Sequence, residues 1–470
     1  MLFSSIEFLF YFLPVALAVY FITPAPGGSN KPRNYVLLVL NLIFYAWGGP
    51  PYLLLMGAQM LSGWGFGLLA ERWRGKRRAR AALIGSIVVG IGCLMYFKYA
   101  DFFLTNINAL FRTSIPLLKL ALPLGISFYT FQVLSYVFDV YMGKIKAQRD
   151  FGVLCAYVTL FPQLIAGPIV RYADVERDLI HRKHSPALFA EGARRLAIGL
   201  GKKVLIANVL AELVKICQNP ASLLGAWLYL FAFAFQLYFD FSGYSDMAIG
   251  MGKMFGFRLL ENFNYPYTAK SVTDFWRRWH ISMSSWFRDY VYIPLGGNRV
   301  KLPRHIFNIM VVWLLTGFWH GAGWNFMAWG VYFGLLLLFE KFFFGRILDK
   351  LPRIVSHIYL ILCVAVGWTL FDAAGFGDAA SRIACLFGAG VGQLTDPGTL
   401  YYLRSYAVPL LVAAVGCTPL PSRLARKLAK SKKSGPVLTV LEPLTVVVLL
   451  AAVTAYLVDG SFNPFIYFRF

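Results

Sequence analysis

Of the six histidines in this 470-residue chain (181, 184, 280, 305, 320 and 357), one falls where an imidazole is costly to keep. His320 ends an apolar run that begins at Ile306, in the string Gly317-Phe318-Trp319-His320-Gly321-Ala322-Gly323-Trp324. If a helix starts near His305, its rise carries His320 only ~23 Å, short of the far side of a ~30 Å hydrocarbon layer. Ionisable groups at that depth usually line a cavity or a pathway. A neutral imidazole there can act as a general base near pH 7, and the neighbouring glycines would let a ligand approach the backbone. The competing reading is a histidine hydrogen-bonded between helices for structure alone.

His280 closes a second string, Trp276-Arg277-Arg278-Trp279-His280. Residues 274–290 predict an interfacial helix, because Phe275, Trp279, Trp286 and Tyr290 fall within about 60° on a helical wheel while Arg277 and Arg288 point away. Taken alone, a histidine beside arginines at headgroup level is a solvated one. A third cluster runs from Gln236 to Asp246 and holds Asp240, Ser242, Tyr244 and Ser245. Gln236 and Asp240 share a helix face. They are suited to orient a catalytic group, to bind a polar part of a substrate, or merely to cap and pin helices.

The elements that must hold these groups are apolar helices. Hydrophobic residues make up 58% of the chain and charged residues 14%, against about a quarter charged in an ordinary soluble domain. The expected fold class is an all-α polytopic membrane protein, with about eleven transmembrane helices plus re-entrant and interfacial segments. Apolar stretches suited to spans recur from 5–23 to 436–457, and the chain is expected to be one membrane-embedded domain over 1–470. The net charge of +23 lies in short clusters between apolar stretches, such as Arg72 to Arg80 and Lys144 to Arg149. That pattern marks cytoplasmic loops and excludes a nucleic-acid partner in favour of the lipid bilayer. Counting from those clusters puts the N-terminus outside, and places both Lys144–Arg149 and Arg171–Lys183 inside. The stretch 151–170 must then enter and leave on one side, and its Pro162 and Gly167-Pro168 suit a re-entrant turn. The single cysteines and the absence of zinc spacings give no metal site. No nucleotide-binding loop or G-x-S-x-G elbow appears.

Read together, FWRRWHISMSSWFRDYVYIPLGGNR (275–299) and GFWHGAGWNFMAWG (317–330) resemble the membrane-bound O-acyltransferase family. YFDFSGYSDMAIG (238–250), LPLGISFYTFQVLSYVFDVY (122–141), FPQLIAGPIVR (161–171) and the terminal NPFIYFRF (463–470) match its branch that O-acetylates bacterial polysaccharides. The core motifs lie within 122–345.

The resemblance implies that His320, in the W-H-G element, is catalytic, and that His280 is the second polar residue of the site. It implies acetyl-coenzyme A as the acyl donor and no metal. The acetyl group would pass, through a periplasmic acetyltransferase partner, to hydroxyls of an exported or cell-envelope polysaccharide such as alginate. The location implied is the bacterial inner membrane. Asp240, Ser242, Trp276, Arg277 and Arg278 are the candidate substrate- and donor-binding residues, the arginines because guanidinium pairs well with phosphate. D-alanyl transfer to a cell-wall polymer and a non-enzymatic transporter are the alternatives. A conduit opening to both faces and narrowing at His320, lined by Gly317, Gly321 and Gly323, is also expected.

Overall fold

The computed structural model describes residues 1–165, 167–431 and 435–459, and every regular element among them is helical. The motif at 463–470 lies outside the described residues, as do Lys432 and Lys433 of the last basic cluster. Five helices are long and apolar enough to cross a bilayer: Tyr52–Arg72, Arg77–Phe111, Leu223–Met254, Arg353–Asp372 and Val440–Asp459. The bent pair Ala407–Gly416 and Leu420–Ala429, meeting at 68°, would make a sixth. Hydropathy alone counted more because several apolar stretches fold as shorter or broken helices. The run 5–23, for instance, forms the shorter helix Glu7–Ile22, π-helical over Glu7–Phe12 and α-helical over Leu13–Ile22.

The chain forms two compact units, 1–196 with 247–260, and 197–246 with 261–470. The first is built on α1 (Lys31–Ala46), α2 (Tyr52–Arg72), α3 (Arg77–Phe111) and α4 (Ile126–Tyr141). Glycines let α2 and α4 approach closely: a Cβ on Gly63 would lie 2.3 Å from Val133, and one on Gly67 would lie 2.7 Å from Tyr136. In lipid such van der Waals contact replaces the hydrophobic drive that water would supply.

The stretch 151–170 does not form a span. It folds as α5 (Phe151–Val158), a break, and the four-residue Phe161–Leu164. Eight residues rise only ~12 Å. Protein groups satisfy the broken backbone: Asn41 Oδ1 accepts from Phe161 N at 3.1 Å, and Tyr157 Oη donates to Val170 O at 2.9 Å. Irregular backbone at membrane depth requires such internal partners.

The second unit begins with a π-helical turn, Lys202–Asn208, and α6 (Leu223–Met254), whose last turns belong to the first unit. After a long extended stretch come α7 (Val272–Trp276), α8 (Ile281–Phe287), α9 (Leu302–His320), α10 (Trp324–Phe339) and α11 (Arg353–Asp372). Helices α9 and α10 form an antiparallel hairpin with glycine against glycine. A Cβ on Gly317 would meet Phe326 O at 2.2 Å, and one on Gly330 would meet Trp313 O at 2.3 Å.

The expected interfacial helix over 274–290 is not formed. Its backbone breaks at 277–280, and Phe275, Trp279, Trp286 and Tyr290 are all buried in protein. Phe275 and Trp279 stack at 5.6 Å and pack on Trp368 of α11. The wheel assumed one continuous helix facing headgroups, and the four aromatics are instead carried on two short helical stretches and the break between them, buried in protein. Large aromatic rings find more contact in a helical core than at a headgroup layer.

Candidate active site

Helix α9 stops at His320 because the Gly321-Ala322-Gly323 link is extended, with Gly321 at φ −162° and Gly323 at φ −157°. The turn of the hairpin thus sits directly on the imidazole. His320 is 8% exposed, and rings surround it: Trp319 at 5.0 Å, Trp329 at 5.1 Å and Phe371 at 5.3 Å between centroids. These come from α9, α10 and α11, so three helices fix one side chain. Water is largely excluded, which strengthens any hydrogen bond made there.

His280 is fully buried, at the break between α7 and α8, with its backbone in the left-handed region at φ +46°. Histidine is among the few residues other than glycine enriched there. Its ring lies 6.0 Å from Trp319 and 4.7 Å from Phe241 of α6. Trp319 therefore touches both histidines. Their centroids are no farther apart than the two ring separations together, about 11 Å. Residues forty positions apart in sequence are one indole apart in space.

Asn262 holds His280, with Oδ1 3.1 Å from Nδ1. Sequence reasoning did not single out this residue. It lies in an extended stretch without periodicity, eighteen residues upstream, and no spacing rule connects the two.

A cavity of about 580 Å³ opens beside α7 and α8, with Arg277, Arg288 and Lys341 among its cationic lining. Its inner wall is apolar, formed by Trp276, Ile309, Val312 and Trp313, and it reaches Thr316 on α9. Thr316 is one helical turn before His320. Trp276 lies 5.5 Å from Trp329, which in turn packs on His320. The indole Nε1 atoms of Trp276 and Trp329 are buried and have no hydrogen-bond partner among the described residues. Local chemistry sets the cavity's rim. Ser271 caps α7 through Asp274 N at 3.0 Å, and the Glu340 carboxylate accepts from Val272 N and Thr273 N at 2.6 and 2.8 Å. Lys341 Nζ lies 2.9 Å from His305 Nε2. Arg278 instead pairs with Asp274 at 2.9 Å and does not line this cavity.

Asp240 makes a buried ion pair with Lys203 at 2.6 Å, and their side chains are only 4% and 2% exposed. The neighbouring Lys202 reaches Asp246 at 2.7 Å. Between the two aspartates, Gly243 meets the helix Pro186–Gly201: a Cβ there would lie 2.9 Å from Gly199 O. The string Asp240-Phe-Ser-Gly243-Tyr-Ser-Asp246 thus places one carboxylate on each side of a helix crossing. Ser242 is buried within the same stretch. Of the readings open for this cluster, helix pinning is the one these contacts supply.

The expected glycine-lined conduit is not what these residues form. Gly317 packs on α10, Gly321 is covered by the Phe326 ring at 2.2 Å from a notional Cβ, and Gly323 faces Asn325 at 2.5 Å. Small residues here serve close helix packing, which sequence cannot tell from a passage lining.

The profile of the membrane-bound O-acyltransferase family matches residues 153–370, which contain both histidines, Asn262 and the cavity. A probable alginate O-acetylase of Pseudomonas aeruginosa is 41% identical over 404 residues, covering 84% of this chain and 76% of that protein. Another from Pseudomonas putida is 38% identical over the full length of both chains. A peptidoglycan O-acetyltransferase of Helicobacter pylori is 34% identical, over 83% of this chain and 80% of its own. With such identity across most of both lengths, the chain belongs to the membrane-bound O-acyltransferase family.

Proposed function

We propose that this protein is a polysaccharide O-acetyltransferase of the bacterial inner membrane. It takes an acetyl group from acetyl-coenzyme A on the cytoplasmic side and delivers it outward. A periplasmic acetyltransferase partner receives it for hydroxyls of an exported or cell-envelope polysaccharide such as alginate. The observation that carries this reading is the enclosure of His320 one helical turn from a cavity with a cationic rim and an apolar inner wall. The names of its relatives, alginate and peptidoglycan acetylating enzymes, support the acceptor class.

The donor has an anionic end and a long neutral arm ending in a thioester. Arg277, Arg288 and Lys341 suit the phosphates, and the wall formed by Trp276, Val312 and Trp313 suits the arm. His320 takes the proton of the acceptor hydroxyl as its oxygen attacks the thioester carbonyl. A carbon–oxygen bond forms, the carbon–sulfur bond breaks, and the proton held by His320 passes to the leaving sulfur. The aromatic cage holds the imidazole in place and keeps competing water from the thioester. His280 supports this site from across Trp319. The basic clusters support a cytoplasmic side for Arg277, Arg288 and Lys341 and a periplasmic N-terminus.

Purified protein supplied with acetyl-coenzyme A and an oligosaccharide or the periplasmic partner should release free thiol. Thiol release absent under all these conditions would leave a transporter as the reading. Release with D-alanyl thioesters in place of acetyl thioesters would move the activity to the D-alanyl class.

A further inference from the structure

Asn262 makes a set of contacts whose directions can be assigned from donor and acceptor chemistry alone. Its carbonyl accepts from Ile281 N at 3.0 Å. Its side-chain Oδ1 accepts from Ser282 N at 3.2 Å and from Ser282 Oγ at 2.9 Å, and its Nδ2 donates to Ser245 Oγ at 3.2 Å. The first two amides of α8 are thus capped from outside the helix, by one residue. A backbone N–H only donates, so the amide atom facing Ser282 must be oxygen. That same oxygen faces His280 Nδ1 at 3.1 Å and can only accept. Nδ1 must therefore carry the hydrogen, and in a neutral imidazole Nε2 is left with the lone pair. His280 is fully buried, and its Nε2 has no hydrogen-bond partner among the described residues. The rings packed on it, Phe241 and Trp319, bring no charge.

We propose that Asn262 is a positioning residue that locks His280 in its Nδ1–H tautomer, so that Nε2 serves the reaction as a hydrogen-bond acceptor for a hydroxyl of the acceptor other than the one whose proton His320 takes. This rests on the acyl-transfer reading above. It also divides the labour between the two histidines' ligands. An Nε2 that can only accept recognises a group that donates, a second hydroxyl of the acceptor, and offers nothing to the thioester carbonyl, which only accepts. Polar partners that fix a histidine's tautomer in this way are common where the other nitrogen has work to do.

The tautomer can be read without reference to activity. Full-length protein labelled with 15N-histidine and reconstituted in lipid is examined by solid-state NMR, and the His280 signals are identified by their loss in His280→Gln. Wild type should show a protonated Nδ1 and an unprotonated Nε2. Asn262→Asp keeps an oxygen for both Ser282 N and Nδ1, so it should keep the tautomer and most of the activity. Asn262→Leu should give mixed tautomers and lower kcat by roughly tenfold, the worth of about one hydrogen bond, with the donor KM unchanged. Should Asn262→Leu fail to accumulate, the wild-type and Asn262→Asp spectra still decide the tautomer. A protonated Nε2 in wild type overturns the proposal. So does equal activity of two Asn262 variants whose tautomers differ. Loss of all acyl transfer by wild type under every condition would count against the function itself and leave the tautomer result standing.

Discussion

His280 and His320 pack on the same indole, that of Trp319, at 6.0 and 5.0 Å between ring centroids. One of them ends the 19-residue α9 at the turn of a hairpin, and the other sits in a break between two short helices. A rigid aromatic packed on both imidazoles ties their spacing to one side chain. The histidines are therefore expected to differ in how they respond to substitution.

His320→Ala should abolish O-acetylation while the protein still inserts and accumulates, because the ring is enclosed by contacts that α9, α10 and α11 make independently. Polymer acetyl content in a complemented deletion strain measures it. The expected loss is at least ~10²-fold, the usual worth of a positioned general base. Acetylation near the wild-type level would remove His320 from the mechanism.

His280→Ala should reduce activity strongly but incompletely, since water can replace part of a hydrogen-bonding role. The left-handed backbone at this position complicates alanine. His280→Asn, a residue that tolerates this conformation, separates loss of the ring from backbone strain. Full activity of both variants at matched expression would end the paired-histidine idea.

Both histidines were legible in the sequence because each closes a dense aromatic string, and a family likeness runs through those strings. What they touch was not legible. The 274–290 helical wheel picked out Phe275, Trp279, Trp286 and Tyr290 as apolar, and all four are buried, yet amphipathicity does not say whether an apolar face meets lipid or protein. The left-handed turn at His280 breaks that wheel, and no glycine or proline announces it. Asn262 was invisible for a different reason. Its contacts depend on an extended chain returning past α8, a tertiary event with no local period.

Orientation is tested by single cysteines replacing Lys76, Lys146 and Asp178 in a background without the six native cysteines. All three should be protected from a membrane-impermeant thiol reagent in intact cells. Labelling at 178 with protection at 146 would require 151–170 to cross the bilayer, against the eight-residue length of α5. The positions downstream would then have to be recounted.

Gly321→Leu is expected to lower activity and thermal stability together. The new side chain must displace the Phe326 ring, which packs at 5.2 Å on Phe371, itself part of the His320 cage. Overpacking of this kind costs about 1–3 kcal/mol. Smaller Gly321→Ala paired with Phe326→Leu should recover part of both. Loss of activity at unchanged melting temperature would instead favour a passage at that point.

The Lys203–Asp240 pair gives the sharpest separation of stability from chemistry. Both side chains are almost wholly buried, so neither charge has water to fall back on when its partner is removed. Lys203→Met alone should therefore be severe, costing about 3–5 kcal/mol and lowering accumulation in the membrane. Asp240→Leu alone should do likewise. Removing both charges together replaces a desolvated pair with apolar contact, and buried pairs treated this way are often neutral in stability. The double variant should accumulate far better than either single one. It should also acetylate polymer, because in this reading Lys203 and Asp240 brace the α6 crossing at Gly243 and do not act on substrate. Melting temperature and polymer acetyl content measured on the same four proteins decide the matter. A double variant that is stable but inactive would move Asp240 from the scaffold into the active site.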